Sequence, residues 1–415
     1  MLNYPLANRV NREFYYELPT GKALCSLGIG LCYLLYMNDI NKLFFELIRV
    51  AIGTLDTLSR PPSPKEWSAI YEIAKKQSLV GVCFAGVRKL VLQEQAPLEK
   101  LYLTWMGMTA MIQQRNEVVV RQCADLQKRL SVDGFDVAIL KGQGNAQLYC
   151  ENLRSLRQSG DIDVWVLPNA GESENDHIAR VVGYAKEFNP ESHFSGKHID
   201  LSVFADTEVE LHVTPAKMNC PWHERRLKAW FQKQGSKFQV VSDGFNVPTT
   251  EFNLVYLLLH CYDHLLFEGV GLRQIMDYYF VLLDTSTKGF KGFQEVSKLV
   301  SSLGLKRFAS AMLWVVDYVF GDLKLSETMK LFETMGVKPN EKEGRFLLNE
   351  IMTGGNFGKY GKDGVMVGHA KGKVAFFFAS MKHKLRFLTH YPLEVMWAPY
   401  QMLVYYLETI IKKQK

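Results

Sequence analysis

The sequence has few cysteines, little excess charge of either sign and no internal repeat. Its seven cysteines are an odd number and form no Cys-x-x-Cys pair. This pattern argues against a disulfide framework or a cysteine-based zinc site and fits a reducing cytoplasm. The net charge of +6 over 415 residues is modest. Nucleic-acid-binding chains usually carry a concentrated basic face, so we expect no stable complex with DNA.

A long apolar run is also lacking. The run at 23–37 has about half the length that a membrane-spanning helix needs. Lys22 precedes it as in a signal peptide, but acids and arginines lie upstream and no small-x-small cleavage site follows. We interpret residues 1–36 as an extension that begins at a start codon upstream of the native one. A genuine additional helix is the alternative interpretation.

Helical periodicity dominates both ends of the chain and predicts a helical region at 37–133 and another at 249–415. Ser63 and Thr250 are the predicted N-caps of two of these helices. The helix predicted over 98–133 carries an apolar stripe made of Val118, Val119, Cys123, Leu126 and Leu130. The Gly-rich stretch at 354–364 is predicted to be a connector, because no strand leads into it.

Alternation of apolar and polar residues predicts strands only between residues 134 and 248. The predicted strands cover 135–140, 162–167 and a β-hairpin at 197–204 and 209–213. The sequence therefore predicts an α+β fold in which a small sheet is flanked by two helical regions.

Two aspartates in this segment are the strongest chemical signal. Asp161 and Asp163 alternate with Ile162 and Val164, so both side chains should project from one strand face, about 7 Å apart. Carboxylates this close repel each other unless a cation lies between them, and Mg²⁺ suits that position. A solvated strand face is the alternative interpretation.

A third carboxylate stands on another predicted strand. Glu210 alternates with Val209 and Leu211, and His212 lies beside it. If two strands bring Asp161, Asp163 and Glu210 together, they make a two-metal site for phosphoryl transfer. Asp200, on the neighbouring strand of the hairpin, competes with Glu210 for this role.

This order of elements resembles the DNA polymerase β-type nucleotidyltransferase superfamily, and most closely its poorly characterised bacterial branch. The resemblance covers most of the chain from about Met37 onward. It departs from the superfamily pattern at Gln143, where a second Gly or Ser is usual, and at Thr214, where a basic residue is frequent. The motifs that carry it are Leu140-Lys-Gly142, Tyr149, Arg157-x-x-Gly-Asp-Ile-Asp163, Val209-Glu-Leu-His212, Pro221-Trp-His-Glu-Arg-Arg226 and Gly269-Val-Gly-Leu-Arg-Gln-Ile-Met-Asp277.

The resemblance implies a small mixed-sheet nucleotidyltransferase core at 134–248. It also implies that Asp161 and Asp163 hold Mg²⁺ or Mn²⁺, and that Glu210 is a further ligand that orients or deprotonates the attacking hydroxyl. The candidate nucleotide-binding residues are Lys141, Gly142, Arg157, Ser159, Gly160 and Arg273. On the acceptor side the candidates are His212 and Asp277.

Some of these residues also have a local interpretation. Glycines at 142 and 160 would let the backbone approach phosphate, and Lys141 and Arg157 would neutralise its charge. The alternative is a capped turn with solvated basic residues. Arg273 and Asp277 lie four residues apart on one helix, which also suits an ion pair.

We therefore predict a cytoplasmic, Mg²⁺-dependent enzyme that moves a nucleoside monophosphate from an NTP, ATP included, to an acceptor. A sugar phosphate, an antibiotic, a protein hydroxyl and an RNA end all fit as acceptors. One alternative is a non-catalytic nucleotide sensor that keeps the fold. Another is a peripheral membrane protein. In this alternative Lys382, Lys384 and Arg386, together with the apolar run at 376–378, contact an anionic membrane.

Overall fold

A computed structural model describes residues 26–234, 238–288, 292–334, 336–358 and 373–413. The chain divides into two compact units, Met1–Lys42 and Leu43–Lys415. In the first unit the structure describes residues 26–42, which are the beginning of helix α1 (Ser26–Ile52). The part of the predicted extension at 1–25 lies outside the described residues, and the backbone of 26–36 is helical.

Three further helices precede the sheet within the predicted helical region, and the last lies close to the predicted bounds of 98–133. They are α2 (Pro64–Lys76), α3 (Val80–Leu90) and α4 (Glu99–Val132). Helix α2 begins where the sequence places its cap, because the Ser63 side chain accepts from the backbone N–H of Glu66 and the Glu66 carboxylate accepts from the Ser63 N–H. This reciprocal capping box satisfies two backbone donors that the first turn leaves open.

All described strands lie between Val137 and Pro248, within the predicted α/β segment. In chain order the elements are β1 (Val137–Ile139), α5 (Gln143–Ala146), α6 (Glu151–Arg154), β2 (Ile162–Val166), α7 (Glu174–Lys186), β3 (His198–Asp200), β4 (Val209–His212), α8 (Pro221–Gln234), β5 (Phe238–Val240) and β6 (Asn246–Pro248). The α+β class and a small mixed sheet are confirmed.

The larger sheet has the strand order β1-β2-β4-β3. Strand β2 is antiparallel to β1 and parallel to β4, and β3 pairs with β4 as the predicted antiparallel hairpin. A separate antiparallel pair, β5 and β6, was not predicted from the sequence.

One face of the larger sheet packs against α4 and α7 and forms a buried apolar core. From β1 and β2 this core contains Val137, Ile139, Ile162, Val164 and Val166. From α4 it receives Val119, Cys123, Leu126 and Leu130. The predicted stripe was wrong at Val118, which is only half-buried, because its helical position turns it away from the sheet.

The rest of the described chain is helical. Its helices are α9 (Thr250–Phe267), α10 (Leu272–Lys288), α11 (Phe293–Ser302), α12 (Lys306–Phe320), α13 (Ser326–Thr334), α14 (Glu341–Gly354), α15 (Lys373–Leu385) and α16 (Pro392–Lys413). The cap predicted at Thr250 was wrong by one residue. Thr249 is extended and its side chain accepts from the N–H of Phe252, whereas the Thr250 hydroxyl donates to Asp284.

The predicted Gly-rich connector begins where α14 ends at Gly354 and a 3₁₀ turn covers Asn356–Gly358. Its remainder, from residue 359, lies outside the described residues. Within the described residues no helix combines the length and the apolar character that crossing a membrane requires.

The basic flank predicted to contact a membrane is partly internal. Lys384 is 1% exposed, and its Nζ donates to Ser380 and lies 3.8 Å from the centroid of the Phe267 ring. Arg386 pairs with Glu350. Two of the three basic residues are therefore engaged within the fold.

Candidate active site

The register of β2 and β4 brings two of the predicted carboxylates together. In this parallel pair Asp163 is the direct partner of Glu210. Val164 and Leu211, their neighbours along each strand, point into the apolar core. Because side chains alternate along a strand, Asp163 and Glu210 must project from the opposite face.

Asp161 completes the predicted cluster from the position just before β2. Ligand oxygens of Asp161, Asp163 and Glu210 all lie within 4.8 Å of one another. The competing Asp200 is the strand partner of Glu210 on β3, but its side chain is 77% exposed. The three acids that the sequence singled out are thus neighbours in the fold.

Lys141 is the cation that faces these acids. It lies two residues after β1. The pairing of β1 with β2 extends past the end of β1, because the Leu140 N–H donates to the Asp163 carbonyl. The Lys141 Nζ lies 2.7 Å from Asp163 Oδ1. Burial would lower the pKa of Lys141, but Asp163, Asp161 and Glu210 together raise it.

His212 joins two of the acids. Its Nε2 lies 2.9 Å from Asp163 Oδ1 and 3.0 Å from Glu210 Oε2. Burial favours a raised pKa at Asp163, yet Lys141 and His212 outweigh burial and hold that pKa well below its usual range. Burial also favours a raised pKa at Glu210, but the hydrogen bond with His212 outweighs it and the carboxyl pKa is lowered.

The charge of Asp163, together with burial, raises the pKa of Asp161. Three carboxylates opposite one lysine leave an excess of negative charge on this face of the sheet. An all-carboxylate donor set of this kind suits Mg²⁺ or Mn²⁺. The residues present therefore fit the divalent ions that the sequence predicts.

The turn between β1 and α5 requires a glycine. Gly142 has φ +54° and ψ −113°, a backbone conformation that side chains with a Cβ rarely adopt. Next to it Gln143 is buried, and its Nε2 donates to Asn116 Oδ1 at 2.9 Å. Gln143 is therefore a structural residue that fixes the turn to α4.

Asn116 was not identified from the sequence. It is 3% exposed, and its Nδ2 donates to the carbonyls of Ser155 and Arg157. One side chain of α4 thus ties the Gly142 turn to the loop that leads into Asp161. A polar residue in a buried helical register, between Ile112 and Val119, was the signal that could have revealed it.

That loop carries two more predicted residues. The Ser159 Oγ is buried and has no hydrogen-bond partner within the described part of the chain. Gly160 is exposed, and a Cβ there would meet no atom within 4 Å. Among the described residues, no neighbour would clash with a Cβ at position 160. None makes a hydrogen bond with the Ser159 hydroxyl.

Arg157 and Asp277 lie inside the fold and bind each other. The Arg157 Nε and Nη2 each donate to an oxygen of Asp277 at 2.7 Å, and the Tyr149 hydroxyl donates to Asp277 Oδ1 at 2.7 Å. Arg157 is 5% and Asp277 4% exposed. This geometry joins α10 to the α/β segment and gives both residues a structural role.

Arg273, four residues before Asp277 on α10, contacts the same loop. Its Nη1 donates to the carbonyl of Gln158 at 2.8 Å. Burial, followed by the charge of Arg157, lowers the pKa of Arg273 to about 10. Arg273 therefore supports the loop that carries Ser159 and Gly160.

A family model described as "Uncharacterised nucleotidyltransferase" matches residues 63–321, more than half of the chain. The matched span includes every candidate site residue, and it is shorter than the resemblance expected from about Met37 onward. No curated protein and no solved structure matches the chain.

Proposed function

The chain belongs to the uncharacterised nucleotidyltransferase family, and we propose that it is an active nucleotidyltransferase of the DNA polymerase β type. In this proposal it moves a nucleoside monophosphate from an NTP to an acceptor hydroxyl or phosphate, and pyrophosphate leaves. Family membership supports nucleotidyl transfer in general. The site residues support the finer points, which concern the metal and the roles of the three acids.

The observation that carries the proposal is the meeting of Asp161, Asp163 and Glu210 on one face of the sheet. Asp163 and Glu210 each raise the pKa of Asp161, so the cluster contains repulsion that a bound cation would relieve. Asp161, Asp163 and Glu210 would hold divalent ions here, and such ions stabilise developing negative charge on phosphoryl oxygens.

Glu210 is better placed than Asp163 to serve the acceptor. Its side chain is 26% exposed, whereas that of Asp163 is 1% exposed. A carboxylate that reaches solvent can approach an acceptor hydroxyl and accept its proton, and the hydrogen bond with His212 keeps it ionised and oriented. We assign Glu210 the proton transfer and His212 the positioning of Glu210.

The phosphates would meet the Gly142 turn and the 159–160 loop. The hydroxyl of Ser159, which no described residue engages, can donate to a phosphate oxygen, and the open position at Gly160 leaves room for one. Lys141 can neutralise phosphate charge when it leaves Asp163. We remove Arg157 and Asp277 from the proposed ligand set, because each is satisfied by the other.

One observation favours a second function, the nucleotide sensor. The Lys141 ammonium already neutralises Asp163, which lets the acidic cluster persist without chemistry. Such a protein would bind an NTP and transfer nothing. Sensor and transferase therefore differ in turnover alone.

The test is to incubate the full chain with Mg²⁺, each NTP in labelled form and a cell lysate, and to measure the mass of any adduct. Glu210→Gln should lower the rate of adduct formation at least about 100-fold, because a positioned general base contributes about 10²–10⁴-fold. Its melting temperature should stay close to that of the unsubstituted chain.

Asp200→Asn is the matched control, since it removes a carboxylate from the strand partner of Glu210. If Asp200→Asn abolishes transfer while Glu210→Gln does not, the acid has been assigned to the wrong strand. NTP binding without any adduct would favour the sensor.

A further inference from the structure

Glu210 also belongs to a second cluster of potential metal ligands, whose other members are His198 and His212. His198 on β3 and His212 on β4 are direct partners in the antiparallel ladder. Their ring centroids are 5.3 Å apart, and both rings face Glu210. Donor atoms of His198, Glu210 and His212 all lie within 4.8 Å of one another.

The separations suit a shared ion. Two ligands held about 2.0–2.2 Å from one ion, at angles between 90° and the tetrahedral angle, lie about 2.8–3.6 Å apart. Glu210 Oε2 is 3.0 Å from His212 Nε2 and 3.3 Å from His198 Nδ1. An ion bound here would take the place of the hydrogen through which His212 Nε2 contacts Asp163 and Glu210.

His198 is the residue that distinguishes a metal site from a hydrogen-bond network. Its Nδ1 is buried, faces Glu210 and has no hydrogen-bond partner within the described ranges. On the other side of the ring, Nε2 lies 3.7 Å from Asp200 Oδ1. This separation is longer than a hydrogen bond, so Asp200 attracts the ring without fixing its orientation.

The donor types determine which ions fit. Two imidazoles and one carboxylate form a set that zinc sites use while leaving a fourth position open. Imidazole nitrogen favours Zn²⁺, Co²⁺ and similar ions, whereas Mg²⁺ prefers oxygen ligands throughout. The side chain of His198 is 20% exposed, which gives an ion access from solvent.

We propose that His198, Glu210 and His212 form a transition-metal site that shares Glu210 with the carboxylate site. Its role in transfer rests on the proposed function, whereas binding of the ion does not. In the enzyme, one ion would be held by oxygen ligands at Asp161 and Asp163. The other would be held largely by imidazole, so Mg²⁺ alone would not fill both positions.

The test is to titrate Co²⁺, without NTP, into the metal-stripped full chain and to record the visible d–d absorption of the bound ion. We expect one ion to bind with the intense bands of low-coordinate Co²⁺, and Zn²⁺ to displace it. His198→Gln should weaken binding at least about tenfold, in line with the cost of disturbing a histidine ligand environment. His198→Asn serves as a second variant, and circular dichroism checks that both are folded.

Three controls separate the alternatives. His193→Gln removes an exposed histidine outside the cluster and should bind Co²⁺ normally. Cys220→Ser removes the thiol from another triad, Cys220, His223 and Glu394. If the visible bands disappear in Cys220→Ser and persist in His198→Gln, the ion lies in that triad and the proposal is wrong.

Asp161→Asn separates this inference from the proposed function. It should leave Co²⁺ binding in place and abolish the Mg²⁺-dependent binding of NTP. If NTP binding never depends on Asp161 but His198→Gln still loses Co²⁺, the transferase proposal fails and the metal site stands. If folded His198→Gln and His198→Asn bind Co²⁺ as tightly as the unsubstituted chain, or if that chain binds none, the metal site is overturned.

Discussion

Replacing Asp277 by asparagine should destabilise the fold and leave the affinity for NTP nearly unchanged. The Asp277 carboxylate accepts three hydrogen bonds of 2.7 Å, two from the Arg157 guanidinium and one from the Tyr149 hydroxyl. Asparagine keeps the size of the side chain and removes its charge. Its amide nitrogen also puts a donor where Asp277 has an acceptor, so the substitution tests the charge and the hydrogen bonds together.

The expected cost follows from burial. Both side chains of the Arg157–Asp277 pair are 5% exposed, and removing one partner of a buried ion pair costs about 3–5 kcal/mol. The Arg345–Glu341 pair on α14 has exposures of 64% and 63%, and such surface pairs contribute about 0–1 kcal/mol. Glu341→Gln is thus the matched control, with the same partner type and a similar loss of charge.

The assay is urea denaturation followed by far-ultraviolet circular dichroism and tryptophan fluorescence. The double variant Arg157→Gln/Asp277→Asn should lose less stability than the two single variants together, with a coupling of at least about 1 kcal/mol. NTP affinity is measured at a temperature where each variant is folded. Equal urea midpoints for Asp277→Asn and Glu341→Gln, or a lost NTP affinity at unchanged stability, would refute the structural role.

Two further predictions concern stability and its pH dependence. Glu66→Gln should cost up to about 1 kcal/mol through the ion pair with Arg60, because glutamine can still complete the capping box of α2. Hydrogen bonding from Arg60 lowers the Glu66 pKa from 4.5 to about 2. The stabilisation by the Glu66 carboxylate is therefore complete above pH 4.5 and is lost as pH falls towards 2. If the melting temperatures of Glu66→Gln and the unsubstituted chain differ by the same amount at pH 6 and at pH 2.5, this prediction is wrong. Lys384→Met should raise stability at pH 7 by up to about 3 kcal/mol, because burial lowers the Lys384 pKa from 10.5 to about 8. The unfolded chain holds the Lys384 proton more tightly than the folded chain. The unsubstituted protein should therefore gain stability as pH rises from 8 to 10.5, and the stability difference between it and Lys384→Met should narrow. A stability difference that stays constant over that range would show that the charge of Lys384 is not the cause.

Local patterns were enough to predict most elements and the acids themselves. Alternation along β2 and β4 placed Asp163 and Glu210 on strand faces, and the structure confirms both strands. The two-residue spacing also predicted that Asp161 and Asp163 share a face, and their ligand oxygens do lie close together. These features depend only on neighbours along the chain, which is why the sequence reveals them.

Contacts between distant segments were not predictable in the same way. The i,i+4 spacing suggested Arg273 as the partner of Asp277, but Arg157, 120 positions away in sequence, donates two hydrogen bonds to it. The pairing of Asp163 with Glu210 depends on the parallel register of β2 and β4. Likewise Lys384 becomes internal only because α15 packs against α9, where Phe267 covers it.

In the proposed function, Asp161 and Asp163 hold the metal through which an NTP binds. Calorimetry with non-hydrolysable analogues of the four NTPs, with and without Mg²⁺, measures this directly. We predict that the unsubstituted chain binds at least one analogue in a Mg²⁺-dependent manner. The folded double variant Asp161→Asn/Asp163→Asn should lose that metal-dependent part, and Asp200→Asn should keep it. Unchanged, Mg²⁺-dependent binding in the folded double variant would contradict the claim.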